Sequence, residues 1–337
     1  MTIDSNISYQ QTTQVTLASY PDTYPSEENF AVNTVTLPAL QDGEVKIKHT
    51  FLSLDPYMRS QIAGRHVSGS IELNGLMFGE VVGEVVETKS AKFNLGDQVR
   101  CMGGWQTASI QKDSAVFAIG NIEQPSHALS VLGMPGLTAY AGLIWQAQPQ
   151  AGDVVVIPAA TGAVGATVGQ LAKANGCTVI GIVGSDEKVD YAINQLGYDV
   201  CINRKTQDVE QALDKLCPEG INIYFDLVGG DLLHSVSARL AIGARVILCG
   251  MIAETNSKER MAGPSPGMWI KARAIVYGLV VYDFEPRRQE FIDACAELVN
   301  ANKLIMKEDV SVGIASAPAA FSRLMRGENM GKVIVKI

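Results

Sequence analysis

The chain has 337 residues, of which 47% are hydrophobic and 18% are charged, and these proportions exclude a disordered protein. A chain of this length is typical of two domains and buries enough surface to need neither disulfides nor metals for stability. The formal net charge of -8 is spread without acidic or basic blocks, which argues against nucleic acid or an anionic membrane as a partner.

The sequence shows neither a secretory signal nor a membrane-spanning segment. The N-terminus lacks the basic start and apolar core of a secretory signal. The longest uninterrupted apolar run, residues 274–282, is about half of what a membrane span needs. The six cysteines form no C-x-x-C pair and are expected to be small buried side chains in a reducing compartment. We therefore expect a cytoplasmic protein with no membrane partner.

From about residue 14 to residue 122 the apolar residues come in short runs separated by glycine and turn residues. The runs at 44–48 and 98–101 alternate between apolar and polar residues with period two. This alternation is typical of strands with one buried face. The sequence therefore predicts a small antiparallel β domain here, built as a partly open barrel.

From about residue 130 to residue 302 strand and helix patterns alternate. The predicted strands are nearly continuous apolar runs, as in a parallel sheet covered on both faces. They lie at 154–157, 178–183, 200–203, 223–227, 245–249 and 275–281, with helices at 163–175, 186–196, 207–216 and 232–240. This order predicts an α/β fold with a doubly wound parallel sheet of the Rossmann type. The strand-like tail is assigned to the first domain, so the predicted domains are 1–129 with 303–337, and 130–302.

The first strand of this sheet runs into a variant of the dinucleotide-binding turn. The sequence A-x-G-x-x-G ends with Gly162, Ala163, Val164 and Gly165 and opens a helix. Gly162 allows a pyrophosphate to approach the backbone closely, and Gly165 allows the helix and strand to pack tightly. The amides at the start of the helix then face the anion. An ordinary tight turn is the alternative, and the strand–turn–helix context favours the cofactor interpretation.

The end of the second strand distinguishes NADPH from NADH. An NAD site places an acidic side chain there, whereas this chain has Gly184 followed by Ser185 and Lys188. A small residue, a hydroxyl and a cation suit a 2′-phosphate, and Arg204 after the next strand supplies a second cation. The acids at 186 and 187 are interpreted as the first turn of a helix capped by Ser185. We predict NADPH as the cofactor.

With these motifs in place, the chain resembles a known family over nearly its whole length. The residues that carry the likeness lie at 54–59, 134–140, 162–165, 184–188, 225–230, 246–250 and 328–332. They are similar to those of the prostaglandin reductase group, which includes leukotriene B4 12-hydroxydehydrogenases, plant alkenal double-bond reductases and bacterial curcumin-reductase-like enzymes. The resemblance implies a zinc-free medium-chain dehydrogenase/reductase with a GroES-like barrel, a Rossmann domain and a homodimeric assembly.

The resemblance also implies which residues bind the cofactor. It places the pyrophosphate at the 162–165 turn and the 2′-phosphate at Lys188. The residues that it places at the nicotinamide half are Cys249, Gly250, Thr255, Leu279, Val280, Val281 and Asn329. Three positions depart from the family pattern. This chain has Arg204 where the family has tyrosine, Leu227 where it has asparagine, and Thr255 where it has tyrosine. Arg204 can serve a phosphate through a bidentate fork.

Reduction of an activated carbon–carbon double bond suits this set of residues. The four histidines are not accompanied by a cysteine cluster, so the sequence predicts no metal site and makes zinc-assisted alcohol oxidation less attractive. When hydride adds to the β-carbon of an enal or enone, negative charge develops on the carbonyl oxygen. We predict that Tyr57 donates a hydrogen bond to this enolate together with the cofactor ribose. A packed aromatic at a turn is the alternative for Tyr57.

The expected partner is therefore a small electrophilic molecule. Two other functions stay open from the residues. A quinone oxidoreductase shares the zinc-free fold and NADPH, and a quinone accepts hydride without a donor at Tyr57. A non-catalytic NADPH-binding protein is the second alternative, because Leu227 and Thr255 remove polar groups that the family has near the cofactor.

Overall fold

A computed structural model describes residues 9–120, 122–256 and 261–337 of the protein. The chain folds into two compact units. The first, called the β unit here, comprises Met1–Leu129, Asp309–Asn329 and Val333–Ile337. The second, called the α/β unit, comprises Ser130–Glu308 and Met330–Lys332.

The described residues form fifteen strands and ten α-helices. The strands are β1 Gln11–Leu17, β2 Phe30–Thr36, β3 Glu44–Ser53, β4 Val81–Thr88, β5 Gln98–Cys101, β6 Ala108–Lys112, β7 Val116–Ala118, β8 Val154–Pro158, β9 Thr178–Val183, β10 Val200–Asn203, β11 Ile221–Asp226, β12 Leu240–Leu248, β13 Ile275–Gly278, β14 Glu308–Val312 and β15 Lys332–Lys336. The helices are α1 Tyr57–Ile62, α2 Met134–Tyr140, α3 Ala163–Ala174, α4 Asp186–Asn194, α5 Val209–Leu216, α6 Gly230–Ser237, α7 Ile252–Thr255, α8 Pro266–Ala272, α9 Arg288–Asn300 and α10 Ala317–Met325.

The β unit is organised around an antiparallel-rich sheet of seven strands in the order β14-β15-β3-β4-β5-β7 with β6 paired to β3. The long strand β3 pairs with β4, β6 and β15, all antiparallel. Its residues Val45 and Ile47 are fully buried, as the period-two pattern predicts. Leu52 is also fully buried, and it follows a register shift between His49 and Phe51 that changes the alternation. The predicted antiparallel β domain is confirmed.

The α/β unit has a parallel sheet of six strands in the order β10-β9-β8-β11-β12-β13. Strands β8 and β11 are neighbours although two other strands lie between them in the sequence, so the strand order reverses at this point. In doubly wound sheets, ligands bind beyond the carboxyl ends of the strands at such a reversal. The predicted Rossmann fold is confirmed, and it directs attention to the segments that follow β8 and β11.

Three strands end earlier than the sequence predicts. β11 stops at Asp226 because the Asp226 carboxylate accepts hydrogen bonds from the amides of Val228 (3.0 Å) and Gly229 (2.9 Å), which turns the chain. β12 stops at Leu248, and β13, which pairs with it, therefore ends at Gly278 instead of residue 281. Consequently Leu279 and Val280 follow the strand and lead into a 3-10 helix, Val281–Arg287.

The tail contains a helix that the sequence pattern did not predict, α10 between β14 and β15. The predicted domain limits stay a prediction, and residues 303–308 lie with the α/β unit in the structure. Ile305 exchanges two hydrogen bonds with the Gln170 side chain on α3 (2.9 and 2.8 Å), and Glu308 accepts one from Ser130 (2.7 Å). These bonds hold the segment before β14 on the α/β unit.

The cysteines are free thiols, and all are buried except the half-buried Cys249. Burial raises the pKa of the Cys101 and Cys201 thiols to about 12. These groups stay protonated at neutral pH and behave as small apolar side chains. In the described part of the chain, no helix has both the length and the apolar character that crossing a membrane requires.

Candidate active site

The turn between β8 and α3 has the geometry of a phosphate cradle. Gly162 is the N-cap of α3, and its amide donates to the Ala159 carbonyl at 2.8 Å. A Cβ atom at Gly165 would lie 2.5 Å from that same carbonyl oxygen, so only glycine fits there. Ala163 and Val164 open the helix, where backbone amides point toward a bound anion. The turn therefore fits the pyrophosphate of a dinucleotide.

A buried tyrosine that the sequence analysis missed supports this turn from below. The Tyr198 hydroxyl lies 2.8 Å from the Gly165 carbonyl and 3.2 Å from the Ala160 carbonyl. A Cβ at Gly169 would lie 2.3 Å from the Tyr198 ring, and one at Gly181 would lie 3.0 Å from it. Burial raises the pKa of Tyr198, so its hydroxyl stays protonated and can donate to the turn. In the sequence, the glycines at 169 and 181 were the only indication that a large side chain packs at this place.

The segment before β15 also lies beside the turn. Gly331 forms an isolated parallel bridge with Gly162, and the Lys332 amide donates to the Lys307 carbonyl at 2.9 Å. A Cβ at Gly331, which has a φ of 79°, would lie 2.0 Å from that carbonyl. Asn329, the predicted nicotinamide neighbour, is buried and precedes this bridge by two residues.

Cations gather where β9 ends. A Cβ at Gly184 would lie 3.7 Å from the Lys205 side chain and 3.9 Å from the Arg204 guanidinium. Ser185 is the N-cap of α4, and its hydroxyl accepts from the Lys188 amide at 3.4 Å. The predicted capping by Ser185 is therefore confirmed, with Lys188 in the first turn. The sequence pattern did not assign Lys205 to this group of cations, although its position directly after Arg204 indicates that it lies nearby.

The segments after β11 and β12 lie side by side. The amides of Cys249 and Gly250 donate to the Asp226 carbonyl at 3.0 and 3.1 Å. Burial, with the Asp226 carboxylate nearby, raises the pKa of the Cys249 thiol to about 12, so this cysteine is not a nucleophile at neutral pH. One oxygen of Asp226, Oδ1, accepts from Tyr224 at 2.9 Å, and burial raises the pKa of the Asp226 carboxyl.

The remaining predicted nicotinamide residues are spread over two further segments. The Thr255 hydroxyl donates to the Met251 carbonyl at 2.9 Å within α7. The amide of Leu279 donates to the Leu248 carbonyl at 3.0 Å, which holds the chain beside the end of β12. Leu279 is buried, whereas Val280 is 39% exposed and Val281 is half-buried. Val280 therefore offers more apolar surface to a ligand than Leu279 does.

In the β unit, Tyr57 is the first residue of α1 and is half-buried. Its ring centroid lies 5.0 Å from that of His66. The neighbouring Arg59 is 4% exposed, and its guanidinium donates to the carbonyls of Thr23 (2.9 Å) and Pro21 (3.3 Å). These bonds show that Arg59 braces the loop that contains Pro21 and Thr23.

In residues 9–120, 122–256 and 261–337, no group of three or more histidine, cysteine, aspartate or glutamate side chains could hold a metal ion. His49 Nδ1 donates to the Gln106 carbonyl at 2.6 Å, and Nε2 accepts from the Ser109 hydroxyl at 2.8 Å. His49 is therefore a core residue whose hydrogen bonds are satisfied. His234 is exposed on α6.

Comparison with known proteins agrees with this architecture along both units. A family model described as the N-terminal domain of oxidoreductase matches residues 13–119, and one described as zinc-binding dehydrogenase matches residues 163–300. The structure of CurA from Vibrio vulnificus in complex with NADPH has a TM-score of 0.91 at 37% identity, covering 96% of this chain and 98% of that chain.

Curated relatives match over nearly the whole chain. The chain is 36% identical to the NADPH-dependent curcumin reductase of Escherichia coli, covering 95% of each. It is 40% identical to prostaglandin reductase 1 of Bos taurus, covering 93% of this chain and 95% of the relative. It is 37% identical to the 2-alkenal reductase (NADP(+)-dependent) of Nicotiana tabacum, covering 96% and 97%. The chain therefore belongs to the medium-chain dehydrogenase/reductase family of the curcumin, prostaglandin and 2-alkenal reductases.

Proposed function

We propose that this protein uses NADPH to reduce the carbon–carbon double bond of α,β-unsaturated aldehydes and ketones. The observation that carries the proposal is the glycine cradle between β8 and α3, combined with cations at the end of β9. The names of the relatives support the substrate class, since a 2-alkenal is an aldehyde with a double bond next to its carbonyl group.

The adenine half of NADPH is assigned by charge and space. The pyrophosphate lies against the 162–165 turn, because Gly162 caps a twelve-residue helix whose first turn supplies the amides of residues 163–165. The 2′-phosphate is bound by Ser185, Lys188 and Arg204, with Lys205 beside them. Gly184 leaves room for the phosphate, since the nearest side-chain atoms to a Cβ there are those of Arg204 and Lys205.

The nicotinamide half is assigned to the segments that follow β12 and β13, with Asn329. Backbone groups of Cys249 and Gly250 and the apolar side chains of Leu279, Val280 and Val281 border this half. Thr255 uses its hydroxyl proton inside α7, so its oxygen can only accept a hydrogen bond from a ligand. Thr255 is therefore assigned to the border of the site and to no step of proton donation.

Tyr57 is assigned to the reacting carbonyl group. Bound NADPH supplies the hydride that adds to the β-carbon of the substrate. The electron pair of the double bond moves toward the carbonyl oxygen, where the phenol of Tyr57 donates a hydrogen bond to the resulting enolate. When NADPH is bound, its ribose hydroxyl would be a second hydrogen-bond donor beside Tyr57. Water delivers a proton to the α-carbon, so the net change is addition of two hydrogens across the double bond.

We further infer a cytoplasmic homodimer. In the described part of the chain β13 is the last strand of its sheet, so one side of its backbone is available for pairing. Ile275 on β13 is 52% exposed and Ile270 on α8 is 75% exposed, which supplies apolar surface beside that edge. Light scattering should give twice the chain mass for the wild type. A monomeric wild type would contradict the assembly, and an I275K variant should become monomeric.

A cofactor and substrate panel tests the function. Purified protein is mixed with NADPH or NADH and with an enal, an enone, a quinone or a saturated ketone, and the loss of NADPH absorbance is recorded. Turnover of the enal and enone with NADPH, and much slower turnover with NADH, is expected. Turnover of quinones alone would replace the proposal by quinone reduction. NADPH binding without turnover of any compound would favour a non-catalytic protein.

A further inference from the structure

The segment that follows α1 folds back against this helix. The amide of Arg65 donates to the Ser60 carbonyl at 2.9 Å, and the amide of Ile71 donates to the Gln61 carbonyl at 3.2 Å. The Ile71 side chain is 3% exposed, so the segment is anchored by apolar burial as well as by hydrogen bonds. The chain between these anchors, residues 65–71, is therefore held against the last turn of the helix.

A chain of hydrogen bonds fixes His66 within this segment. The buried Gln61 donates from Nε2 to the Ser68 hydroxyl at 2.9 Å. The Ser68 hydroxyl lies 2.6 Å from His66 Nδ1, and the Ser68 amide donates to the same nitrogen at 3.2 Å. An amide N–H can only donate, so Nδ1 is an acceptor and the neutral ring carries its proton on Nε2. Burial lowers the pKa of His66, which agrees with a neutral ring.

The anchored imidazole packs against Tyr57. The two ring centroids are 5.0 Å apart at an interplanar angle of 33°, within the range in which aromatic rings attract each other. Tyr57 lies at the start of α1, whereas Gln61 lies on its last turn, so the helix and the returning segment together define where the phenol ring can lie.

We propose that His66 is a positioning residue that holds the Tyr57 phenol in the orientation in which its hydroxyl can donate to the substrate. The inference rests on the proposed function, because it assigns His66 a role through the enolate donor. A phenol rotates about two side-chain bonds, and packing against a fixed ring removes orientations in which the hydroxyl points away. Misplacing a reacting group by about 1 Å can cost on the order of 100-fold in rate.

A double-mutant cycle separates positioning from general stability. We compare the wild type with Y57F, H66A and the Y57F/H66A double variant, using trans-2-hexenal and NADPH. Y57F should lower kcat/KM by about 10- to 100-fold, because a hydrogen-bond donor to the developing charge is lost. H66A should lower kcat by about 5- to 10-fold, and the same change in the Y57F background should have little further effect. The Kd for NADPH should stay unchanged in all four proteins.

Two further variants complete the test. H66F restores an aromatic ring beside Tyr57 and should recover part of the kcat that H66A loses. H234A removes an exposed histidine from α6 in the other unit and should leave kcat and the thermal midpoint unchanged. A thermal midpoint of H66A close to that of the wild type is expected, because the Ile71 anchor remains.

The outcomes distinguish the two proposals. Equal losses from H66A in the wild-type and Y57F backgrounds would overturn positioning and leave Tyr57 as the donor. H66F that is no better than H66A would overturn ring packing as the cause. Full activity in Y57F would overturn the role of Tyr57 and, with it, that of His66. No turnover of trans-2-hexenal by the wild type would contradict the proposed function itself.

Discussion

At the scale of single residues, similar side chains have different roles that are set by their hydrogen bonds. Arg59 is buried and donates to backbone carbonyls, whereas Arg204 is exposed and lies where β9 and β10 end. His49 is bonded through both ring nitrogens, whereas His66 uses Nδ1 for a local loop and its ring for Tyr57. The role of each arginine and histidine can therefore be assigned only from the groups that its side chain contacts.

The cations at Gly184 should determine the cofactor preference. R204Q removes one charge from the proposed 2′-phosphate site, and because the side chain is exposed we expect the Kd for NADPH to rise only about tenfold. The Kd for NADH, which has no 2′-phosphate, should stay the same. Titration of both cofactors checks this, with K215Q on α5 as the control that removes an exposed cation elsewhere. Equal weakening of both cofactors would contradict the assignment.

His49 should make stability depend on pH. Burial lowers the pKa of His49 from 6.5 to about 4, so the unfolded chain binds a proton below pH 6.5 that the folded protein resists. The contribution of neutral His49 to the free energy of unfolding is therefore complete above pH 6.5. As the pH falls to about 4, this contribution decreases by at most about 3 kcal/mol. The thermal midpoint should fall less between pH 7 and pH 5 in H49Q than in the wild type. Parallel falls in the two proteins would show that other groups dominate.

At the scale of elements, the sequence predicts helices and strands well where an apolar pattern extends over many residues. It does not predict where an element ends when local side-chain hydrogen bonds terminate it. All six strands of the parallel sheet were predicted, because each is a nearly continuous apolar run. The early end of β11 was not, because it depends on the Asp226 carboxylate folding back on its own backbone. Likewise, the Tyr198 contact below the cofactor turn joins residues distant in sequence and leaves only glycines as a signal.

The β8–α3 turn offers a graded test of the cradle. A Cβ at Gly165 would lie 2.5 Å from the Ala159 carbonyl oxygen, whereas one at Gly162 would lie 3.1 Å from it. G165A must therefore displace the turn, and we expect at least a roughly tenfold higher Kd for NADPH and a lower thermal midpoint. G162A should have the smaller effect on both measurements. Equal NADPH affinity in G165A and the wild type would contradict the placement of the pyrophosphate.

At the scale of the whole molecule, the family was identified from motifs spread over both units, since no one of them is specific enough alone. The segment containing Tyr57, the dinucleotide turn and the closing residues 328–332 follow one another in the order that the resemblance implies. The sequence could not reveal how the side chains at these places are held. At Leu227 and Thr255 the resemblance implies asparagine and tyrosine, so we expect these two positions to make the preferred enal or enone different from those of the relatives.

The position at which hydrogen is added to the substrate tests the central claim most directly. The wild type is supplied with an enone and NADPH deuterated at C4 of the nicotinamide, and the product is examined by NMR. Reduction of the double bond predicts deuterium on the carbon β to an intact carbonyl group, with an unlabelled solvent proton on the α-carbon. Deuterium on the former carbonyl carbon, with the double bond intact, would contradict the account and indicate a carbonyl reductase.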